Sequence, residues 1–209
     1  MSQPTTEESI VHIVDDDESL RRTMDSLCRS VGLQARTYGS AQEFLGAKRE
    51  DIPGCLVLDV RLPGISGLEF HSQLARLGIN LPVILVTGHG DIPMSVSAMK
   101  AGAVDFLPKP FRDQDLLDAI TAAIERDRRR RAADAGATLL RDRFLTLSPR
   151  EQQVMMLVTA GKMNKQVAGD LGLSEITVKI HRAAAMRKMG AKTLADLVRM
   201  AESLRPKSP

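Results

Sequence analysis

The chain has no tryptophan and a single tyrosine, and aromatic residues make up only 3% of it. Recognition of single-stranded nucleic acid by base stacking needs aromatic platforms, so that class is disfavoured from the start. Cysteine is equally scarce. Cys28 and Cys55 sit 27 positions apart, form neither a metal-ligand nor a redox spacing, and read as small buried hydrophobes in a reducing compartment. No apolar run approaches the roughly 20 residues that a bilayer-spanning helix requires. Residues 1–10 carry Glu7 and Glu8 and lack the apolar stretch of a secretion signal, so the expected site of action is the cytoplasm, with no membrane partner.

What is present is an ordinary globular composition, 43% hydrophobic and 26% charged, in 209 residues, enough for one large domain or two small ones. The net charge of +3 hides an asymmetry. Residues 1–125 hold 11 Lys+Arg against 18 Asp+Glu, whereas residues 126–209 hold 18 against 8. An acidic part joined to a basic part points to two domains with different partners, the second suited to phosphate-rich surfaces.

The acidic part alternates strand-like and helix-like segments. Apolar runs at 10–14 (IVHIV), 55–60 (CLVLDV) and 82–87 (PVILVT) read as buried strands, with shorter ones at 34–38 and 105–107. Leu20, Met24, Leu27 and Val31 fall on one helical face, and Gly32 stops that helix. Ser40 is an expected N-cap with Glu43 as its capping-box partner. Further helices fit at 67–77 and 91–101 and from about Asp113, and TGHGD at 87–91 reads as a helix-entry loop in which His89 is no lone metal ligand. Five strands alternating with five helices predict an α/β fold, a doubly wound parallel sheet.

In such a sheet the carboxyl ends of the strands line one crevice. Asp15, Asp16 and Asp17 follow the first strand, Asp59 lies near the end of the third, Thr87 ends the fourth and Lys109 follows the fifth. Clustered carboxylates repel unless a cation joins them, and an all-oxygen site suits Mg²⁺. Any one of these residues alone is most simply solvated surface; their shared position at strand ends is what points to phosphoryl chemistry on a carboxylate. A Mg²⁺-dependent phosphatase also uses an Asp nucleophile, but its pattern needs a second acid two residues on, and position 61 is Arg.

From about residue 125 the character changes. Residues 126–131 hold five arginines and one aspartate, and 126–146 read as a basic linker, helical at its start and interrupted around Gly136. A solvated helical face is the simpler account of its arginines; a DNA-phosphate or interdomain role is the other. Beyond Thr146 every periodic segment is helical. Ser148, Pro149 and Glu151 open one helix as N-cap, first position and capping-box partner. Asn164–Leu171 is short and closed by Gly172, Ser174 caps a helix running to about Met189, and Thr193 starts a fourth, amphipathic helix. Val167, Leu171, Leu173, Ile176 and Val178 offer apolar contacts across a helix, tight turn and helix, with Ala168 at the crossing. That is a helix-turn-helix pattern, its outward face carrying Thr177, Lys179, Ile180, Arg182 and Arg187. A basic helical hairpin that binds protein is the competing account. The tail from Arg205 is expected to fray.

The segments IVDDDESLR, LVLDVRLPGISGLE, VILVTGHGD and AGAVDFLPKPF, in this order over about residues 9–125, resemble the receiver domain of response regulators. That resemblance implies a flavodoxin-like strand order 2-1-3-4-5, Asp59 as phosphoacceptor, and Mg²⁺ (or Mn²⁺) held by Asp16, Asp59 and the Arg61 backbone carbonyl, with Asp15 through water. It also implies Thr87 and Lys109 on the phosphoryl group, Phe106 as the switch aromatic and a cis Lys109–Pro110 peptide. The segment from LTLSPREQQV to MGAKT resembles the LuxR/NarL/FixJ-type DNA-binding domain, and the whole chain resembles a FixJ-type response regulator. By that likeness Lys179, Ile180 and Ala183 read bases, Lys165, Thr177 and Lys188 bind phosphates, His181 packs inward and the fourth helix is a dimer face. Ala183 limits base readout there to a thymine methyl. The expected domains are a receiver at 1–125, the linker at 126–146 and a small all-α four-helix DNA-binding domain at 147–209. The implied partners are a sensor histidine kinase, double-stranded promoter DNA, a second copy upon phosphorylation, and RNA polymerase if the protein activates. Self-phosphorylation and dephosphorylation at Asp59 are the only reactions expected, with no turnover of outside substrates.

Overall fold

The computed structural model describes residues 8–88 and 92–205. The readings placed on residues 1–7, on His89, Gly90 and Asp91, and on the tail beyond Arg205 lie outside the described residues. The chain separates into two compact units, 1–131 and 132–209.

The first unit is built as β1 (Ile10–Val14), α1 (Glu18–Ser30), β2 (Gln34–Tyr38), α2 (Ala41–Gly46), β3 (Gly54–Asp59), α3 (Gly67–Leu74), β4 (Val83–Thr87), α4 (Ile92–Lys100), β5 (Asp105–Pro108) and the start of α5 (Asp113–Leu145). The sheet is parallel throughout, in the order β2-β1-β3-β4-β5. β1, β3 and β4 are buried along their whole length, as strands covered on both faces must be. Alternation then divides the core. Val14, Leu56, Leu58, Leu85 and Phe70 pack on one face, and Val11, Ile13, Val57, Ile84, Leu116 and Ile120 on the other. Both cysteines are fully buried in the second of these layers.

Helix starts follow local chemistry. The Asp17 side chain accepts from the Ser19 and Leu20 N–H groups and caps α1, so this third aspartate does capping work. Ser40 caps α2 as expected, but the reciprocal arm differs: Glu43 accepts from the Gly39 N–H.

The largest departure concerns α5, which runs without interruption through Gly136 to Leu145. A helical glycine costs about 1 kcal/mol relative to alanine, and Ala132, Ala133, Ala135 and Ala137 around it are the best helix formers, so their propensity outweighs the break. The arginine run is also more than a solvated face. Asp127 is fully buried. It accepts from the Gly54 N–H at 3.1 Å, from Arg130 at 2.7 Å and from Arg131 at 2.7 Å, while Arg129 pairs with Glu125.

The second unit holds the end of α5 with α6 (Pro149–Thr159), α7 (Asn164–Leu171), α8 (Glu175–Met189) and α9 (Leu194–Leu204). Ser148 and Glu151 form the complete capping box at the start of α6. Between α7 and α8 the chain turns at Gly172 (φ +65°), a left-handed conformation that costs glycine nothing sterically. Val154, Met155, Val167, Val178, Ala185, Met189 and Leu197 make the core. Ile176 does not join them. It is 71% exposed, because it lies two positions from buried Val178 and hence on the opposite side of α8. No described helix is long and apolar enough to cross a membrane.

Candidate functional site

The carboxyl edge of the sheet brings the predicted residues together. The β1–β3 register aligns Val14 with Leu58, so Asp15 and Asp59 emerge side by side. Both are buried, as is Thr87, whereas Asp16 is exposed. Lys109 bridges the two buried carboxylates from Nζ, at 2.6 Å to Asp15 Oδ2 and 3.0 Å to Asp59 Oδ2. Its backbone is held too, since the Lys109 N–H donates to the Thr87 carbonyl at 2.7 Å. The Lys109–Pro110 peptide is cis.

Electrostatics follow from this burial. Desolvation pushes the Asp15 carboxyl up; the hydrogen bond from Lys109 and another from the Asp17 N–H oppose it. Burial would lower the Lys109 ammonium, but the hydrogen bonds to Asp15 and Asp59 outweigh it and hold the group above its ordinary value. Lys109 is therefore a fixed positive charge beside Asp59.

Among the described residues, Asp15, Asp16 and Asp59 each offer an oxygen, all within 4.8 Å of one another. Three carboxylates facing one ammonium leave an excess of negative charge, which a hard divalent cation with oxygen ligands would offset. The donor set fits Mg²⁺. The Arg61 N–H donates to Asp59 Oδ1 at 3.2 Å, which orients that carboxylate.

Two supporting residues escaped sequence reasoning. Arg21 donates from its guanidinium to the Asp15 carbonyl at 2.6 Å, holding the β1–α1 turn. Gly67 begins α3 so close to the site that a Cβ would lie 2.1 Å from the Asp59 carbonyl oxygen. The run of turn residues in LPGISG hinted at the second; nothing local marked the first. Phe106 is partly buried against the core layer that contains Leu85.

In the second unit, Lys165, Lys179, Ile180, Ala183 and Arg187 are exposed on α7 and α8, while His181 is half-buried. Thr177 shares a 2.8 Å hydrogen bond with Ser174 at the start of α8, and Arg182 donates to Asn164 Oδ1 at 3.3 Å. Lys188 differs from the others: its ammonium lies 2.6 Å from Glu151 Oε2, engaged inside the unit.

Residues 11–121 match the response regulator receiver domain model, and residues 145–201 match that of bacterial regulatory proteins of the luxR family. The chain belongs to the response regulators. Nodulation protein W of Bradyrhizobium diazoefficiens is 61% identical over 196 residues, covering 94% of this chain and 86% of that protein. Transcriptional regulatory protein FixJ of Rhizobium meliloti is 47% identical over 191 residues, or 91% and 94% of the two chains. Among solved structures, response regulator StyR aligns with a TM-score of 0.82 at 47% identity, covering 93% of this chain and 98% of that one. This response regulator thus couples a receiver to a LuxR-type DNA-binding domain, as transcriptional regulators of two-component systems do. The likeness read from the sequence and the five-stranded fold both hold.

Proposed function

We propose that this chain is a phosphorylation-switched transcription factor whose phosphoacceptor is Asp59. The observation that carries the proposal is the Lys109 bridge to Asp15 and Asp59, at the edge where Asp16 and Thr87 also converge. A carboxylate Oδ of Asp59 attacks the phosphorus of a phosphohistidine on a sensor histidine kinase. The P–N bond breaks, the imidazole leaves with the bonding pair, and an aspartyl-phosphate remains. Lys109 exchanges its hydrogen bond to the Asp59 carboxylate for one to a phosphoryl oxygen. The Thr87 hydroxyl donates to another.

Mg²⁺ (or Mn²⁺) would be held by Asp16, Asp59 and the Arg61 carbonyl, with Asp15 through water, and when bound supplies positive charge to the phosphoryl oxygens. Turning of the Phe106 ring carries the change to the face of α4, β5 and α5, where a second receiver docks. Under this reading the receiver spans residues 1–125, the linker 126–146 and the DNA-binding domain 147–209. On DNA, Lys165 and Thr177 meet phosphates, Arg182 and Arg187 add positive charge to the outward face of α8, Lys179, Ile180 and Ala183 face base edges, and α9 pairs two copies on a two-fold site. The protein acts in the cytoplasm, where kinase and promoter are both reached, and contacts RNA polymerase if it activates.

The test supplies a small phosphodonor with Mg²⁺ to wild type and Asp59→Asn, then measures mass in solution and promoter affinity. Wild type alone should dimerise and bind more tightly. Equal responses from the two proteins would refute the switch, and steady hydrolysis of outside phosphoesters would favour a phosphatase.

A further inference from the structure

A helix C-terminus leaves carbonyls without partners and concentrates partial negative charge. Two such ends meet in the second unit and exchange cations. Arg143, in the last turn of α5, donates from its guanidinium to the Met189 carbonyl at the end of α8, at 3.0 Å. In return Lys188, in the last turn of α8, donates from Nζ to the carbonyl of Thr146 just beyond α5, at 3.2 Å. The same ammonium donates to Glu151 Oε2 at 2.6 Å, and that oxygen also accepts the Ser148 N–H at 2.7 Å.

One glycine leaves room for this approach. Gly190 stands at φ +76°, and a Cβ there would lie 2.7 Å from an Arg143 guanidinium nitrogen. Leu140 and Phe144 of α5 pack onto the same core as Met189. Glu151 is 7% exposed, so it needs its cation: an unpartnered buried carboxylate costs more than Lys188 would gain on a solvated phosphate.

We propose that Arg143, Lys188 and Glu151 form a clamp that sets the recognition helix α8 against the end of α5, making them positioning residues for DNA binding and not DNA contacts. This rests on the DNA-binding reading above. It removes Lys188 from the phosphate contacts that the family likeness implied, and it makes the last turn of the linker helix part of the DNA-binding unit. Simple electrostatics and the clamp give opposite signs for Glu151. Removing an acid near DNA should tighten binding, whereas releasing Lys188 should loosen the seat of α8.

The experiment uses the full chain and DNA duplexes that the wild type selects from a random-core pool. Affinity is measured across a salt series for wild type, Glu151→Gln, Lys188→Gln, Lys188→Arg and Lys165→Gln, with circular dichroism confirming that each is folded. The clamp predicts that Glu151→Gln and Lys188→Gln each lose about tenfold in affinity for selected over unselected duplex, the scale of one charge-assisted hydrogen bond. It predicts that their salt slopes match wild type, that Lys188→Arg is restored, and that Lys165→Gln, which loses a phosphate contact, lowers the slope by about one. The double variant Glu151→Gln/Lys188→Gln should lose no more than either single one. Tighter binding by Glu151→Gln, or a salt slope lowered by Lys188→Gln as by Lys165→Gln, would overturn the clamp. A wild type that selects no sequence would instead refute the DNA-binding reading beneath it.

Discussion

Acidification from about pH 7 to about pH 4 should destabilise the receiver through one buried histidine, His12. This residue lies on β1 at 1% exposure, its Nδ1 sharing a 3.1 Å hydrogen bond with the Tyr38 hydroxyl and its ring packed edge-on against Phe44. Burial is the main force holding its pKa down, the Arg36 and Arg49 guanidiniums add to it, Glu50 opposes, and the outcome is about 4 against the ordinary 6.5. Below pH 6.5 the unfolded chain takes up a proton that the folded chain refuses until pH falls to about 4. Stability from this source is therefore complete above 6.5, declines through the interval and falls no further below it. The gap corresponds to about 3 kcal/mol, at a slope of up to about 1.4 kcal/mol per pH unit. Tyr38 is the sole tyrosine and there is no tryptophan, so intrinsic fluorescence during urea unfolding reports this unit directly. His12→Leu removes the titration. It should lower stability near neutral pH by about 1 kcal/mol for the lost hydrogen bond, yet flatten the decline across the interval. Parallel pH curves for the two proteins would refute the argument, as would a His12 titration by NMR near 6.5.

Three further outcomes test other joints of the structure. Gly67→Ala would ordinarily gain about 1 kcal/mol in a helix, but the clash with the Asp59 carbonyl should win and cost about 1–3 kcal/mol in thermal unfolding while slowing phosphorylation; a stabilised variant would contradict the packing. Asp127→Ala strips the Gly54 N–H and two guanidiniums of their shared partner and should cost about 2–3 kcal/mol, read from the urea midpoint of Tyr38 fluorescence. Asp16→Asn should weaken Mg²⁺ binding by at least about tenfold in calorimetry while leaving the fold intact; unchanged affinity would remove Asp16 from the ligand set.

Much of this architecture was legible because it is written in local patterns. The apolar runs of β1, β3 and β4 mark strands buried on both faces, and the topology of a doubly wound sheet then places Asp15, Asp59, Thr87 and Lys109 at one edge without reference to any contact. Ser148, Gly172 and Ser174 likewise punctuate the helices of the second unit through backbone chemistry alone. What escaped depends on partners distant in the chain or on competing small terms. Asp127 looked like an interruption in a basic run, and its role exists only because Gly54, 73 positions away, presents an N–H to it. Lys188 looked like another cation on a DNA-facing helix, but Glu151, 37 positions earlier, claims it. Gly136 looked like a break until weighed against four neighbouring alanines, and Ile176 counted as apolar without regard to which side of α8 it occupies.

The central claim is that Asp59 accepts the phosphoryl group, and mass spectrometry of the protein treated with a small phosphodonor and Mg²⁺ tests it most directly. The mass of one phosphoryl group should appear on wild type, map to the peptide containing Asp59, vanish on hydroxylamine treatment as an acyl phosphate must, and be absent from Asp59→Asn. A phosphoryl group on another residue, or undiminished labelling of Asp59→Asn, would contradict the account.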